Sequence, residues 1–244
     1  MQPYFFPYIG YISLLKHTDE FILFDEVQFI RHGWIERNRI LKPNEGWQYI
    51  AVPLEKHNLT TIIKDIKINN SSDWRELIFR QLQHYKKRSP YYEETIGIIR
   101  QGLNTDTDSI VKLNENILRC ICKYLGIKLK IEIFSEMNLE IEKVNAPDEW
   151  ALNICKAMGG VTEYWNPPGG ISFFDNAKYI KENIDLKFHE INIEKYSQRR
   201  GTFEPGLSII DVMMFNSKEE INVMLDNYQF IYNRSFKGEV KNGF

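Results

Sequence analysis

Compact apolar runs alternate with helix-length amphipathic stretches at both ends of this chain, and that alternation limits the folds open to it. EFILFDEV at 20–27, KLKIEIF at 128–134 and DLKFHEI at 185–191 each read as a buried strand. Strand, helix, strand order favours an α/β layered fold with a mostly parallel sheet, of the nucleotide-binding-like kind. Residues 72–126 are nearly all helical by pattern. They read as a helical insertion or subdomain within a single α/β domain covering 1–232. The clearest helix spans 108–125, where Ile110, Leu113, Ile117, Ile121 and Leu125 recur every three or four positions and Gly126 ends it. Further helices are expected at 11–17, 73–87, 91–102, 147–158, 177–183, 209–216 and 219–227. Ser71 or Ser72 would cap the second of these and Ser208 the helix from 209. The segments 46–54 and 61–68 alternate and are expected to pair as strands. Residues 233–244 read as a polar tail.

A net charge of −2 supplies no global attraction to nucleic acid, so none is expected as a partner. No apolar run approaches the roughly 20 residues that span a bilayer. The opening residues lack the basic region and cleavage site of a secretory signal, so a cytoplasmic location is expected. Cys120, Cys122 and Cys155 read as free thiols, because one intervening residue puts Cys120 and Cys122 on different helix faces. HxxxH, HExxH and CxxC spacings are absent, so no zinc site is expected. Phosphate-loop, GxGxxG and GxSxG motifs are absent too.

Four constellations could carry chemistry. Residues 31–39 pack Arg31, His32, Trp34, Glu36, Arg37, Asn38 and Arg39 together. Arginine forks suit phosphate or carboxylate and Trp34 could stack on a ring; the alternative is a solvated basic loop. Asp25 closes the first strand, as a base or as an edge carboxylate paired to a nearby arginine. Asn166, Pro167, Pro168, Gly169 and Gly170 follow a short strand at 161–165, either as an anion-holding turn or as a rigid one, with Asp175 beyond. Asp211 sits in the apolar frame LSIID after Ser208, so it must be paired or neutral, and a helix N-cap network would account for it.

QPYFFPYIGY, FDEVQFIRHGWIERNRIL, NPPGG with a following FFD, and LSIIDVMMFNS occur in that order. Together they resemble the WbqC-like family of bacterial polysaccharide gene clusters, over residues 1 to about 231. The resemblance implies O-antigen or lipopolysaccharide biosynthesis, with a proposed transfer of glycine or a similar acyl group to an amino sugar. Family members begin with residues that form a first strand before QPY, so that strand is expected to be short or missing here. The opening is also similar to nucleotidyltransferase-type α/β folds. Tyr8 and Tyr11 stand where those folds place two histidines, which argues against adenylation.

The leading expectation is therefore an acyl- or aminoacyltransferase acting on a nucleotide-linked amino sugar. Asp25 or His32 would accept the amine proton, Arg31, Arg37 and Arg39 would hold phosphates, and Trp34 and Tyr4 would stack on base or sugar. Gln2, Tyr8, Asn38, Asn166, Gly169, Gly170, Asp175, Ser208 and Asp211 complete the expected binding positions. No cofactor is indicated. A non-catalytic nucleotide-sugar or carbohydrate module and a nucleotide-dependent carboxylate–amine ligase are the alternatives.

Overall fold

A computed structural model describes residues 1–128 and 130–232; the tail expected at 233–244 lies outside them. In chain order the elements are α1 (Ile9–Lys16), β1 (Glu20–Leu23), β2 (Arg37–Leu41), β3 (Trp47–Ala51), α2 (Trp74–Leu82), α3 (Tyr92–Leu103), α4 (Ile110–Leu125) and β4 (Lys130–Ile133). Then follow α5 (Glu149–Met158), β5 (Glu163–Asn166), α6 (Asn176–Lys181), β6 (Asp185–Ile191), α7 (Ile209–Phe215), α8 (Lys218–Asp226) and β7 (Tyr228–Ile231). The chain divides into two compact units. Unit 1 holds 1–138 and 191–227, and unit 2 holds 139–190 with the segment from 228.

The α/β expectation holds in its coarse form, as helices with small parallel and mixed sheets. The described strands form three small sheets: β1 parallel to β4, β2 antiparallel to β3, and β5–β6–β7 with β5 and β6 parallel. Beside β1, Met1 donates to Ile22 O at 2.8 Å and accepts from Phe24 N at 2.7 Å, the pattern of a parallel ladder. The residue before Gln2 thus sits in a strand position, and the loop 2–8 leaves from its carboxyl end.

Two local expectations are corrected. Segment 61–68 is not a strand: Ile63–Asp65 is a 3-10 turn, with isolated bridges to Gln28, Leu54 and Ser109. Its buried Ile63 and Ile66 are three apart, which satisfies a 3-10 period as well as alternation satisfies a strand. The partner of β3 is instead β2, a segment given no secondary structure from sequence. Asn38 and Ile40 face inward there while Arg37 and Arg39 lie on the other face. At α2, Asp73 is the N-cap, accepting from Glu76 N, while Ser71 bonds Asn69.

In unit 1, α4 buries its apolar stripe with Ser109 as N-cap and left-handed Gly126 as C-cap. The middle-third helices belong to this unit, with α3 packed on α4 and α7. Every residue of α7 is buried, and Ser208 caps it as expected. In unit 2, Leu152, Cys155, Tyr179, Ile184, Leu186 and Phe188 form the core. The three cysteines are free, and burial pushes the Cys122 thiol up to about 12 and Cys155 to about 11, far from a nucleophilic thiolate. No helix among the described residues is long and apolar enough to cross a membrane.

Candidate functional site

The loop 2–8 runs through unit 1 and is held by side chains from distant parts of the chain. Asn114 Nδ2, on α4, donates to Pro3 O at 2.8 Å and Ile35 O at 2.9 Å. Asn38 Nδ2, on β2, donates to Phe5 O at 3.0 Å and Phe6 O at 2.9 Å. Ser208 Oγ donates to Phe6 O at 2.7 Å, and Tyr11 OH to Gln2 O at 2.9 Å. Phe6 takes a φ of 40°, a left-handed conformation costing about 1–3 kcal/mol for such a residue, so the surrounding bonds must over-determine it. Asn38 and Ser208, expected to touch ligand, bond the loop backbone. Tyr4 and Tyr8 are half-buried and their phenols are raised by burial. The Tyr8 ring packs over Gly10, where a Cβ would lie 2.4 Å from it, so that position has no room for a side chain.

Alternation along the β2–β3 hairpin sets arginines against aromatics on one face. Arg37 lies 3.9 Å from the Tyr49 ring centre; Arg39 lies 5.1 Å from Trp47 and 5.4 Å from Trp34. Arg37 Nη2 donates to His32 O at 2.5 Å and Arg39 Nη2 to Gly206 O at 3.0 Å. The Nε of both is buried without a partner. Glu36 is 8% exposed; its Oε1 accepts from His32 N at 2.5 Å and its Oε2 is buried without a partner. Burial raises the Glu36 carboxyl, against opposing backbone hydrogen bonds and the nearby Arg37. Asn114 Oδ1, on the side chain that grips Ile35 O, is also buried and unpaired. Buried polar atoms are ordinarily satisfied, so this concentration is unusual.

Asp25 lies beyond the end of β1, at the carboxyl edge of the β1–β4 pair. It is 1% exposed, and Ser135 meets both its oxygens, the N–H at 3.1 Å and the hydroxyl at 2.7 Å. Its partner is thus Ser135 rather than an arginine. Burial raises its carboxyl despite those bonds. His32 is exposed, with a left-handed φ of 61°. No hydrogen bond joins it to Asp25 among the described residues. Arg31 is exposed and holds His57 O at 2.8 Å.

Asp211 is fully buried. It accepts from Tyr196 OH at 2.6 Å, Tyr85 OH at 2.7 Å and Gln198 Nε2 at 2.8 Å, and burial lifts it to about 6 against those three donors. It joins α7 to two distant segments, whereas Ser208 alone caps the helix.

The second motif falls in unit 2. Asn166 Oδ1 accepts from Tyr164 OH at 3.1 Å, and its Nδ2 donates to Pro167 O at 2.9 Å. A Cβ on Gly170 would sit 2.1 Å from Asn166 Nδ2, so the amide side chain lies directly on that glycine. Gly169 faces open space. Asp175 caps α6, accepting from Ala177 N at 2.9 Å.

The structure therefore brings Gln2, Tyr4, Tyr8, Trp34, Arg37, Asn38, Arg39 and Ser208 into one hydrogen-bonded and stacked assembly of unit 1. Asn166, Gly169, Gly170 and Asp175 belong to a different unit. Asn114, Trp47 and Tyr49 join the assembly although sequence reasoning did not select them, and Glu36, named in the 31–39 cluster without a role, joins it too. Asn114 carried a signal, an amide on the apolar stripe of an otherwise amphipathic helix. Trp47 and Tyr49 carried none until β2 was paired with β3. Among the described residues no three His, Cys, Asp or Glu side chains cluster as metal ligands would.

A model of the WbqC-like protein family matches residues 2–223. An uncharacterized protein from Mycobacterium tuberculosis is 29% identical over 219 residues, covering 88% of this chain and 91% of the relative. No solved structure matches the chain.

Proposed function

The chain belongs to the WbqC-like protein family, and from that membership we propose a role in bacterial surface polysaccharide biosynthesis, as an acyl- or aminoacyltransferase (for example a glycyltransferase) for the amine of a nucleotide-linked amino sugar. The observation that carries the reading is the set of buried, unpaired polar atoms around β2: Arg37 Nε and Arg39 Nε against the aromatic face, and Glu36 Oε2 and Asn114 Oδ1 on the inward side. An amino sugar offers donors and acceptors in the same density. Glu36 and Asn114 accept from its amine and hydroxyls, the two Nε–H groups donate to hydroxyl or phosphate oxygens, and Trp34, Trp47 and Tyr49 stack on its ring or base.

Attack requires a neutral amine. The nitrogen bonds to the acyl carbon, the donor's carbonyl–heteroatom bond breaks, the leaving group takes that electron pair, and the amine proton passes to a base. We assign the base to Glu36 ahead of Asp25, because one Glu36 oxygen is unpaired while Ser135 occupies both oxygens of Asp25. Asp25 then fixes the carboxyl edge, and exposed His32 is the alternative acceptor. A second reading, binding without turnover, is favoured by that engagement of Asp25.

Thermal shift of the full chain against nucleotide-linked amino sugars, with plain nucleotides as controls, tests the substrate class through linkage. Stabilisation by a sugar nucleotide supports it and a flat screen overturns it. With a turnover assay on thioester or acyl-phosphate donors, Glu36→Gln is expected to keep acceptor binding and lose roughly 10²–10⁴-fold in rate. Unchanged turnover removes Glu36 as base. Binding with no turnover from any donor gives the second reading.

A further inference from the structure

A separate cavity of about 300 Å³ in unit 1 is lined by Arg88, Arg199, Arg200, Thr202, Asn44 and Glu45 among others. Three arginines and one glutamate line it, a local excess of two positive charges on a chain whose net charge is −2. Arg200 is fixed: it donates to Asn44 O at 2.8 Å and to Gly46 O at 3.3 Å, in the β2–β3 turn. The side chains of Arg88 and Arg199 hydrogen-bond to none of the described residues, so their donor forks are open to a ligand.

The loop carrying two of these arginines is built rather than slack. Gln198 closes its neck, accepting from Glu204 N at 2.8 Å and donating to Glu204 O at 3.0 Å. The same amide donates to Asp211 at 2.8 Å, which ties the neck to the buried core. Arg199, just above the neck, has a left-handed φ of 48°, a strained conformation for a non-glycine residue. Half-buried His84 is held below the ordinary imidazole range by burial first, and Arg88 and Arg200 add to it, so their positive field reaches into the fold.

We propose that this cavity binds a diphosphate group, with Arg88 and Arg199 closing on it against the fixed Arg200. A diphosphate matches the charge excess and the two open forks beside the fixed charge of Arg200, whereas a single carboxylate would leave positive charge unpaired. The inference stands on the cavity alone and does not depend on acyl transfer or on Glu36. A diphosphate can arrive free or as part of a nucleotide, and the test separates the two.

The full chain is titrated calorimetrically with inorganic pyrophosphate, uridine diphosphate and sulfate at one fixed ionic strength. Each of Arg88→Gln and Arg199→Gln is expected to weaken pyrophosphate binding by roughly tenfold, and the double variant by more. Both side chains bond to no described residue, so the double variant should keep the parent's Tm; Arg200 is left intact because it holds the hairpin turn. Tighter binding of uridine diphosphate than of pyrophosphate assigns a nucleotide source, and equal binding assigns the diphosphate alone. No binding of either, binding unchanged in the double variant, or equal affinity for sulfate overturns the proposal. Glu36→Gln should leave pyrophosphate binding unaltered, so failure of the transferase reading and failure of this site are told apart.

Discussion

A carboxylate without solvent contact has to be met by donors, and Asp211 is met by three, from Tyr85, Tyr196 and Gln198. Burial still wins, lifting its pKa to about 6. The sign of the pH effect follows. With the folded value above the unfolded one, the native state binds the extra proton between about pH 4 and pH 6. This group's contribution is therefore full below the unfolded pKa and is lost as pH rises through about 6. The loss is on the order of 3 kcal/mol. In denaturant melts at pH 4 and pH 7, Asp211→Asn should lower stability by about 1–3 kcal/mol and remove the Asp211 part of the slope, so the gap between parent and variant is wider at pH 4. A gap independent of pH would show that Asp211 is ionised across that window.

Helix α4 does two jobs at once. Its apolar residues supply core, and Asn114 reaches from the same face to Pro3 O and Ile35 O. Asn114→Leu keeps the helix and the volume but strands two buried carbonyls. It should cost about 2–4 kcal/mol by chemical denaturation. It should also weaken sugar-nucleotide binding more than a core substitution of equal cost, such as Ile117→Ala. Equal effects on binding would reduce Asn114 to packing. Close approach of α3 and α4 sets a second condition. A Cβ at Gly102 would lie 3.3 Å from Ile117 Cγ1 and 3.4 Å from its Cα, so a larger side chain there must push backbone apart.

At the scale of the whole molecule, unit 1 is closed by a return of the chain. Residues 191–227 bring back α7, buried at every position, and α8, which packs on α1. A fragment ending at residue 138 would expose the surfaces of α1, α3 and β2 that α7 covers, and Phe6 and Pro7 would lose the partners Ser208 and Ile209. Circular dichroism should show no cooperative melt for that fragment and a cooperative one for the full chain. A cooperative melt of the fragment would mean that α7 and α8 are accessory. Unit 2 rests on a small core, so its amides should exchange faster than those of α4 and α7 in native-state hydrogen exchange.

By itself the sequence determined the elements whose period and caps are local. Helix α4 with Gly126, α7 with Ser208, strand β6 and the family motifs were all legible, because each depends on neighbours within a few residues. The dense polar cluster at 31–39 was legible as groups in need of partners. Tertiary structure alone decided which groups those partners are. Asn114 lies 111 residues from Pro3 and Ser208 lies 202 from Phe6, and no local pattern encodes such pairings. It likewise decided that RNRIL is a strand, because its partner lies across a turn and its inward face is half polar. Asp25 was legible as a carboxylate at a strand end. Its engagement by Ser135 was not, since Ser135 follows a strand that meets β1 only when the sheet forms.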